Sequence, residues 1–495
     1  MTSRRFASCE KPEMRRVASR WWTAGVLAWL LLVFGYLFAL QAFRYLGLSM
    51  GMRDLGFFAQ SLWNTLQGSF LAISVDPFSS HLWGYHFFLL HVVLIPFYAL
   101  WPNALLLLAV QAAAVAATSW GLYLLGRRWL SRPWMAAVPV LAYTLHPQVH
   151  SAAVGFLFYG FHPEVLFPLF FVLAVYFTDR GRAGWAMVCW LLGLGVREDL
   201  ALVWIGLGVY WMLKPVTRRL GAVMVVGSSL WLLVVVLYII PLFAGRDRPF
   251  YFTGFMHLPL SGNAARPFFT IWPQLQMHLL ALVRPFGFFP LLDPFSLIVV
   301  PTYGLYSAAW SAGYWIPLSP GSAHNSAILP VLAVSILRTL GGVSWFGRQA
   351  RQRVCERHLV WILLLAALLP IACWVCGPPL GQRYGVRPQD FTRLPPARRV
   401  ILEEISRRIP ADAILSTDFF TGSWFLNRPH LQWLQERWDN AEYVVVDRHH
   451  DYGGLWALER AALEKVLHEP RTVRVLDREG FVLLRRDTPV VSRLR

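Results

Sequence analysis

Cysteine is sparse in this chain. Cys9, Cys189, Cys355, Cys373 and Cys376 are the whole supply, and four of them lie in or beside apolar runs or basic segments. A disulfide framework is therefore not suggested. Cys373 and Cys376 form a C-x-x-C pair at the end of the last apolar run, where small residues in a membrane helix explain them better than a redox or metal motif. Acidic residues are also in short supply: 27 Asp and Glu stand against 45 Lys and Arg, giving +18 and a pI near 10.2. Such a balance suggests nucleic acid at first sight. Here nearly all the positive charge is arginine lying between apolar runs, the pattern that orients membrane helices, so nucleic acid is excluded as a partner. Internal repeats and low-complexity tracts are absent. The start of the chain lacks the short apolar core and small-residue cleavage site of a secretory signal.

What the chain has is hydrophobicity. Apolar residues make up 56% of it and the mean hydropathy is +0.47, above the 45–50% or so of soluble domains. Runs of about 20 apolar residues, enough to cross roughly 30 Å of hydrocarbon, recur along it. A single soluble core is excluded, and the lipid bilayer is the first partner. Arg4, Arg5, Lys11, Arg15, Arg16 and Arg20 precede the run Trp21–Phe43, which reads as a retained anchor with residues 1–21 in the cytoplasm.

The expected fold is mainly α, a polytopic bundle followed by a small α/β domain. Eleven membrane helices are predicted, at 22–42, 103–125, 133–152, 164–178, 183–197, 199–213, 219–243, 276–290, 293–309, 324–338 and 358–376. The connections bearing Arg127, Arg128 and Arg132, then Asp179, Arg180 and Arg182, then Lys214, Arg218 and Arg219, then Arg338, Arg348, Arg351, Arg353 and Arg357, are expected in the cytoplasm. All four fit only if residues 84–101 do not span but lie in the first outer loop, at the interface or re-entering. The membrane domain covers 22–376, with outer loops at 43–102 and 153–163. Proline marks a linker at 377–396, and 397–495 form the extracytoplasmic α/β domain. There, helices are expected at 397–408 and 455–467 and strands at 413–416, 443–447 and 481–484.

Charges near a bilayer are costly, so those on the outer side are functional candidates. Asp54 follows the first helix, and Phe57, Gln60, Trp63 and Asn64 recur behind it at helical spacing. A short amphipathic helix on the membrane would hold Asp54 near a lipid headgroup, although an N-cap role fits equally. His162-Pro163-Glu164 opens the fourth helix, where the dipole favours a carboxylate in any case. His162 could be a ligand, a phosphate partner or a satisfied interfacial histidine. Arg197-Glu198-Asp199 is either a solvated turn or a group sunk in a polar cavity, with Arg197 on a phosphate and a carboxylate holding it. His86, His91, the loop 245–275 and His324-Asn325 share that side. Asp418, Asp447 and His449-His450-Asp451 read as exposed polar residues rather than a metal site.

Taken in order, D-x-G-x-x-x-Q-x-x-W-N-T at Asp54–Thr65, His86, F-H-P-E at 161–164, R-E-D at 197–199, H-N-S-A-I-L-P at 324–330, I-P-A-D-A-I-L-S-T at 409–417 and A-E-Y-V-V-V-D at 441–447 resemble a prokaryotic membrane-protein family, the domain of unknown function numbered two thousand and seventy-nine. Asn325 stands where that family usually has an aromatic. The family is grouped with the GT-C glycosyltransferases. The resemblance implies a seven-helix module with long outer loops after its first and third helices, in the cytoplasmic membrane of a prokaryote. It also implies transfer of a sugar from a polyprenyl-phosphate donor to an acceptor that the sequence does not name.

By this resemblance Asp54 is the general base or acceptor-orienting carboxylate, and Glu164 occupies the place of the second-loop acidic residue. Arg53, Arg197 and His86 are candidates for the leaving phosphate. Gln60, His162, Glu198, Asp199 and His324 complete the expected substrate-binding set. His162 and Glu164 are the candidate ligands of a divalent cation, without a closed ligand set. Many GT-C enzymes carry paired acidic residues in the first loop, whereas here Asp54 stands beside Arg53. A transporter or flippase of lipid-linked substrates, and a non-catalytic scaffold, are the competing functions. The outward clustering of the charges argues against the transporter.

Overall fold

The computed structural model describes residues 12–75, 79–130, 132–154, 159–244, 268–311, 318–319, 321–349, 393–449 and 457–486. The expected helix 358–376, most of the linker, Cys9, Cys355, Cys373, Cys376, Arg246, Asp247, Arg248, His257, Arg266, His450 and Asp451 lie outside them.

The apolar runs become helices. In chain order these are α1 (Pro12–Leu46), α2 (Leu55–Leu66), α3 (Ile95–Leu100), α4 (Leu105–Trp129), α5 (Ala137–Thr144), α6 (Pro147–Val154), α7 (Phe167–Asp179), α8 (Ala183–Leu194), α9 (Ala201–Met212), α10 (Arg218–Val234), α11 (Ile240–Ala244), α12 (Phe268–Val283), α13 (Val300–Ser311) and α14 (Leu329–Gln349). Among the described residues, four stretches are long and apolar enough to cross a membrane: Arg20–Leu46, Leu105–Trp129, Arg218–Ala244 and Ala323–Gly342. Their settings differ. Ala323–Gly342 is 78% buried within the protein and Arg218–Ala244 only 22%, so the first is central and the second peripheral. α4 packs against α1, α5 and α7, α14 packs against the same α4, α5 and α7, and α9 lies against α10. A Cβ on Gly208 would stand 2.8 Å from the Gly221 carbonyl oxygen, and one on Gly221 would stand 2.4 Å from that of Gly208. Only glycine at both positions lets α9 and α10 approach so closely.

Several expected helices are broken. The run 133–152 is interrupted after Thr144, where Pro147 restarts it as α6. Residues 84–101 are 3₁₀ at Leu89–Leu94 and α only over Ile95–Leu100. That is too short for a spanning helix. Leu90 donates its N–H to the Gly195 carbonyl at 2.6 Å, tying this segment to the turn that carries Arg197. The helix expected after Asp54 forms as α2, but it does not lie with one face open. Leu55 through Leu62 are buried on every side.

The chain ends in a mixed five-stranded sheet. α15 (Pro396–Arg408) precedes β1 (Leu415–Thr417), β2 (Leu431–Trp433) and β3 (Tyr443–Asp447). Then come α16 (Ala457–His468), β4 (Thr472–Arg478) and β5 (Phe481–Arg486). The order is β2-β1-β3-β5-β4, parallel at β2-β1-β3 and antiparallel thereafter. β4 escapes the sequence reading because it is an edge strand, Thr-Val-Arg-Val-Leu-Asp-Arg, buried only at Leu476. β2 escapes it because three residues are too few to show alternation. The sheet does not stand apart from the membrane body. Ile401, Phe419, Leu431, Trp433 and Leu483 share one continuous apolar core with Met50, Met52, Leu55 and Leu71.

Candidate functional site

Asp54 precedes the first turn of α2, and its carbonyl accepts from the N–H of Phe58 at 3.2 Å. Its backbone is left-handed, φ 45° and ψ −72°, a conformation that costs a residue with a Cβ. The position is that of an N-cap, yet the side chain makes no capping hydrogen bond. The carboxylate faces a cavity of about 220 Å³. Burial raises its pKa above the usual carboxylate range. His162 and Arg53 oppose that shift, and Glu164 reinforces it.

The other walls come from distant turns. Arg53, Phe57 and Phe58 flank Asp54. Tyr85, His86 and Phe88 arrive from the segment before α3, Tyr159, His162 and Glu164 from the turn before α7. Arg197 comes from the turn after α8, and Ser322, Ala323 and His324 from the turn before α14. The structure thus gathers Arg53, Asp54, His86, His162, Glu164, Arg197 and His324 around one space. The three-charge turn is a sunken cluster: Arg197 is 2% exposed. Its Nε and Nη2 donate to Asp199 at 2.5 and 2.6 Å, and its Nη1 donates to Glu164 and, at 3.3 Å, to Nε2 of His324. Tyr306 donates its hydroxyl to Asp199 at 3.1 Å. Two carboxylates therefore surround this guanidinium, so it organises the wall rather than offering an open cation. Since His324 accepts at Nε2, its Nδ1 carries the proton toward the Ser322 hydroxyl oxygen at 2.9 Å.

His86 meets Glu198 through Nδ1 at 2.6 Å, and the other Glu198 oxygen accepts from the Phe87 N–H at 3.0 Å. Glu198 and Asp199 hold His86 and Arg197 from behind the cavity. His162 is anchored by its backbone N–H, which donates to the Gln111 side-chain oxygen at 2.7 Å. Its Nδ1 lies 3.9 Å from Glu164. His162 Nε2 and Glu164 Oε2 are both buried without a hydrogen-bond partner, as groups meant for a ligand would be.

Gln60, expected to bind substrate, is elsewhere. Fully buried, its amide nitrogen donates to Ser74 Oγ at 2.9 Å and to the Arg428 carbonyl at 2.8 Å, while its oxygen accepts from the Ser74 N–H at 2.8 Å. It fastens α2 to the C-terminal domain. His162 Nδ1 and Glu164 Oε2, from the two candidate cation ligands, lie 3.9 Å apart. Among the described residues, no group of three or more His, Cys, Asp or Glu is placed to hold a metal ion. Sequence reasoning missed Gln41 and Gln111, which bond each other at 3.0 Å and position His162. Their signal was present: two glutamines inside apolar helices need a reason. Tyr306 was missed as well, and nothing in its local sequence sets it apart.

No curated protein matches this chain. Among solved structures, ArnT from Cupriavidus metallidurans bound to undecaprenyl phosphate is similar at a TM-score of 0.51, with 15% identity, over 94% of this chain and 97% of that one. The same protein in its apo state gives a TM-score of 0.49 with 16% identity, over 94% and 98%. The likeness establishes the fold, the one that ArnT has. The family model described as a predicted membrane protein, DUF2079, matches residues 44–442, so the chain belongs to that family.

Proposed function

We propose that this protein is an inverting glycosyltransferase, using a polyprenyl-phosphate sugar at the outer face of the cytoplasmic membrane of a prokaryote. The observation that carries the reading is Asp54, a carboxylate at a helix start with no capping bond, facing a cavity with the unpartnered oxygen of Glu164 and ring nitrogen of His162. A fold neighbour, ArnT, was crystallised with undecaprenyl phosphate, which supports a lipid-linked donor.

Asp54 takes the proton of an acceptor hydroxyl as its oxygen attacks the anomeric carbon. The bond from that carbon to the phosphate oxygen breaks on the opposite face. The polyprenyl phosphate leaves with the electron pair, and the anomeric configuration inverts. A carboxylate whose pKa is raised is a stronger base when ionised, so the dry setting of Asp54 assists the step. Arg53 and His86 are positioned to meet the growing phosphate charge. Glu164 and His162 orient the acceptor from the other side. A resident divalent cation fits these residues poorly. Glu164 is already engaged by Arg197, whose charge repels a second cation, and among the described residues no third ligand completes a group with them.

The test is transfer from a panel of radiolabelled polyprenyl-phosphate sugars by the purified protein in detergent or liposomes. Transfer from one donor, lost in Asp54→Asn with the fold intact, supports the reading. Equal transfer by Asp54→Asn removes Asp54 from the mechanism, and no transfer from any donor removes the reaction.

A further inference from the structure

We infer that the C-terminal domain is a clamp that holds Asp54 in its strained conformation, with Phe419, Trp433 and Glu459 as positioning residues. The strain itself calls for a holder, because a left-handed aspartate persists only where its surroundings over-determine it. The α2 side is held by the helix. The other side, Gly51-Met52-Arg53, meets the C-terminal domain at every residue. The Met52 N–H donates to the Phe419 carbonyl at 2.8 Å. The Phe419 ring occupies the place a side chain at position 51 would take: a Cβ on Gly51 would stand 1.7 Å from Cε1 of that ring. Met52 is fully buried, with its sulfur accepting from the Thr417 hydroxyl at 3.6 Å. Arg53 lies over the Trp433 ring at 5.6 Å and pairs with Glu436 at 3.6 Å.

The two jaws of the clamp meet at one atom. Oε1 of Glu459 accepts both the Phe419 N–H, at 2.7 Å, and the Trp433 indole N–H, at 2.8 Å. Glu459 is fully buried, and its Oε2 has no hydrogen-bond partner. Burial and the neighbouring Asp418 charge push its carboxyl up to about 8, so near neutral pH it is largely the uncharged acid. A neutral acid can sit in this dry place and still accept two hydrogen bonds, as a glutamine would. Trp433 ends β2 and Phe419 lies in the turn after β1, and Glu459 fixes their spacing and hence the width of the slot that receives residues 51–53.

The clamp rests on these contacts alone. Its kinetic consequence rests on the transfer reaction proposed above, and two readouts keep them apart. The first is hydrogen–deuterium exchange on the full-length protein in detergent, following peptides across residues 47–58 and, as internal controls, β3 and β5. Phe419→Ala, Glu459→Leu and Gly51→Ala should each speed exchange across 47–58 by about tenfold or more, while Glu459→Gln stays near wild type. Gly51→Ala removes no side chain from the C-terminal domain, so it serves if the other two variants fail to fold. Unchanged exchange across 47–58 in Gly51→Ala, or loss of protection in Glu459→Gln equal to that in Glu459→Leu, overturns the clamp. The second readout is transfer. Displacing a catalytic group by about 1 Å costs on the order of 100-fold, so Gly51→Ala should lose kcat to that extent with KM changed by no more than about threefold. Wild-type protein that transfers nothing overturns the proposed reaction and leaves the exchange result to decide the clamp.

Discussion

Two aspartates, Asp54 and Asp418, each begin a helical turn, and they are used in opposite ways. Asp418 follows β1 and is saturated. One oxygen accepts from the N–H groups of Phe420 and Thr421 at 3.2 and 2.9 Å, the other from the N–H of Asp447 at 2.9 Å. It joins the carboxyl ends of two parallel strands and is structural. Asp54 takes the corresponding place before α2, adopts a strained backbone and accepts no capping hydrogen bond. The same residue type at the same kind of position is a fastening in one domain and an open carboxylate in the other. The difference lies in what the fold withholds from the side chain, which a sequence motif does not report.

The largest effect expected from this comparison is on transfer. Asp54→Asn should lower it by about 100- to 10,000-fold with the melting temperature in detergent unchanged or slightly higher, since asparagine tolerates a positive φ. Asp418→Asn should leave transfer within a few-fold of wild type once the folded fraction is matched. If the two variants lose transfer equally, the contrast between a structural and a chemical aspartate is broken. Arg197→Met comes next. It strands Glu164 and Asp199 in a dry wall, which should cost about 3–5 kcal/mol, read as a lower melting temperature and reduced yield. Retention of wild-type stability would show that those carboxylates are not held as charges.

The third prediction concerns pH. Glu459 and Asp418 are raised on folding, to about 8 and about 6, from ordinary values of 4.5 and 3.8. Raised acids bind protons more tightly in the folded state. Their contribution is therefore complete below about pH 4 and is lost as pH rises through about 6 and then about 8. Melting of the C-terminal domain should fall across that window, and Glu459→Gln should flatten the upper part. A slope of the opposite sign would mean that these groups are charged in the folded domain. Asp418→Ala follows, with a loss of about 1–3 kcal/mol from three backbone donors left unsatisfied. The smallest effect belongs to the partly exposed pair Arg128–Asp179. Asp179→Asn should change stability by less than about 1 kcal/mol, which sets the scale for an ion pair in water beside Arg197.

Much of the fold was legible in the residues. The long apolar runs around α1, α4 and α10 declare themselves by length, and the α/β character of the last hundred residues by the loss of such runs. The breaks were less visible. The interruption between α5 and α6 depends on Pro147 and on packing, and the seat of α2 depends on a domain more than 300 residues away. The site was legible as a set of candidates. Arg53, Asp54, His86, His162, Glu164, Arg197 and His324 could be named because charge and histidine are rare in such a chain. Gln60 misled for the reason that makes it useful: a buried amide amid apolar neighbours looks the same in sequence whether it faces a ligand or, as here, a neighbouring backbone carbonyl.

The sequence by itself determined that the chain enters a membrane and where its polar groups fall along it, because hydropathy and charge are local sums over neighbouring residues. Only the tertiary structure decided which of those groups share a cavity. It also decided that Arg197 is enclosed by two carboxylates, and that the loop before Asp54 is gripped by Phe419 and Trp433. Most of these depend on contacts between residues tens to hundreds of positions apart, where a difference of an ångström separates a hydrogen bond from none.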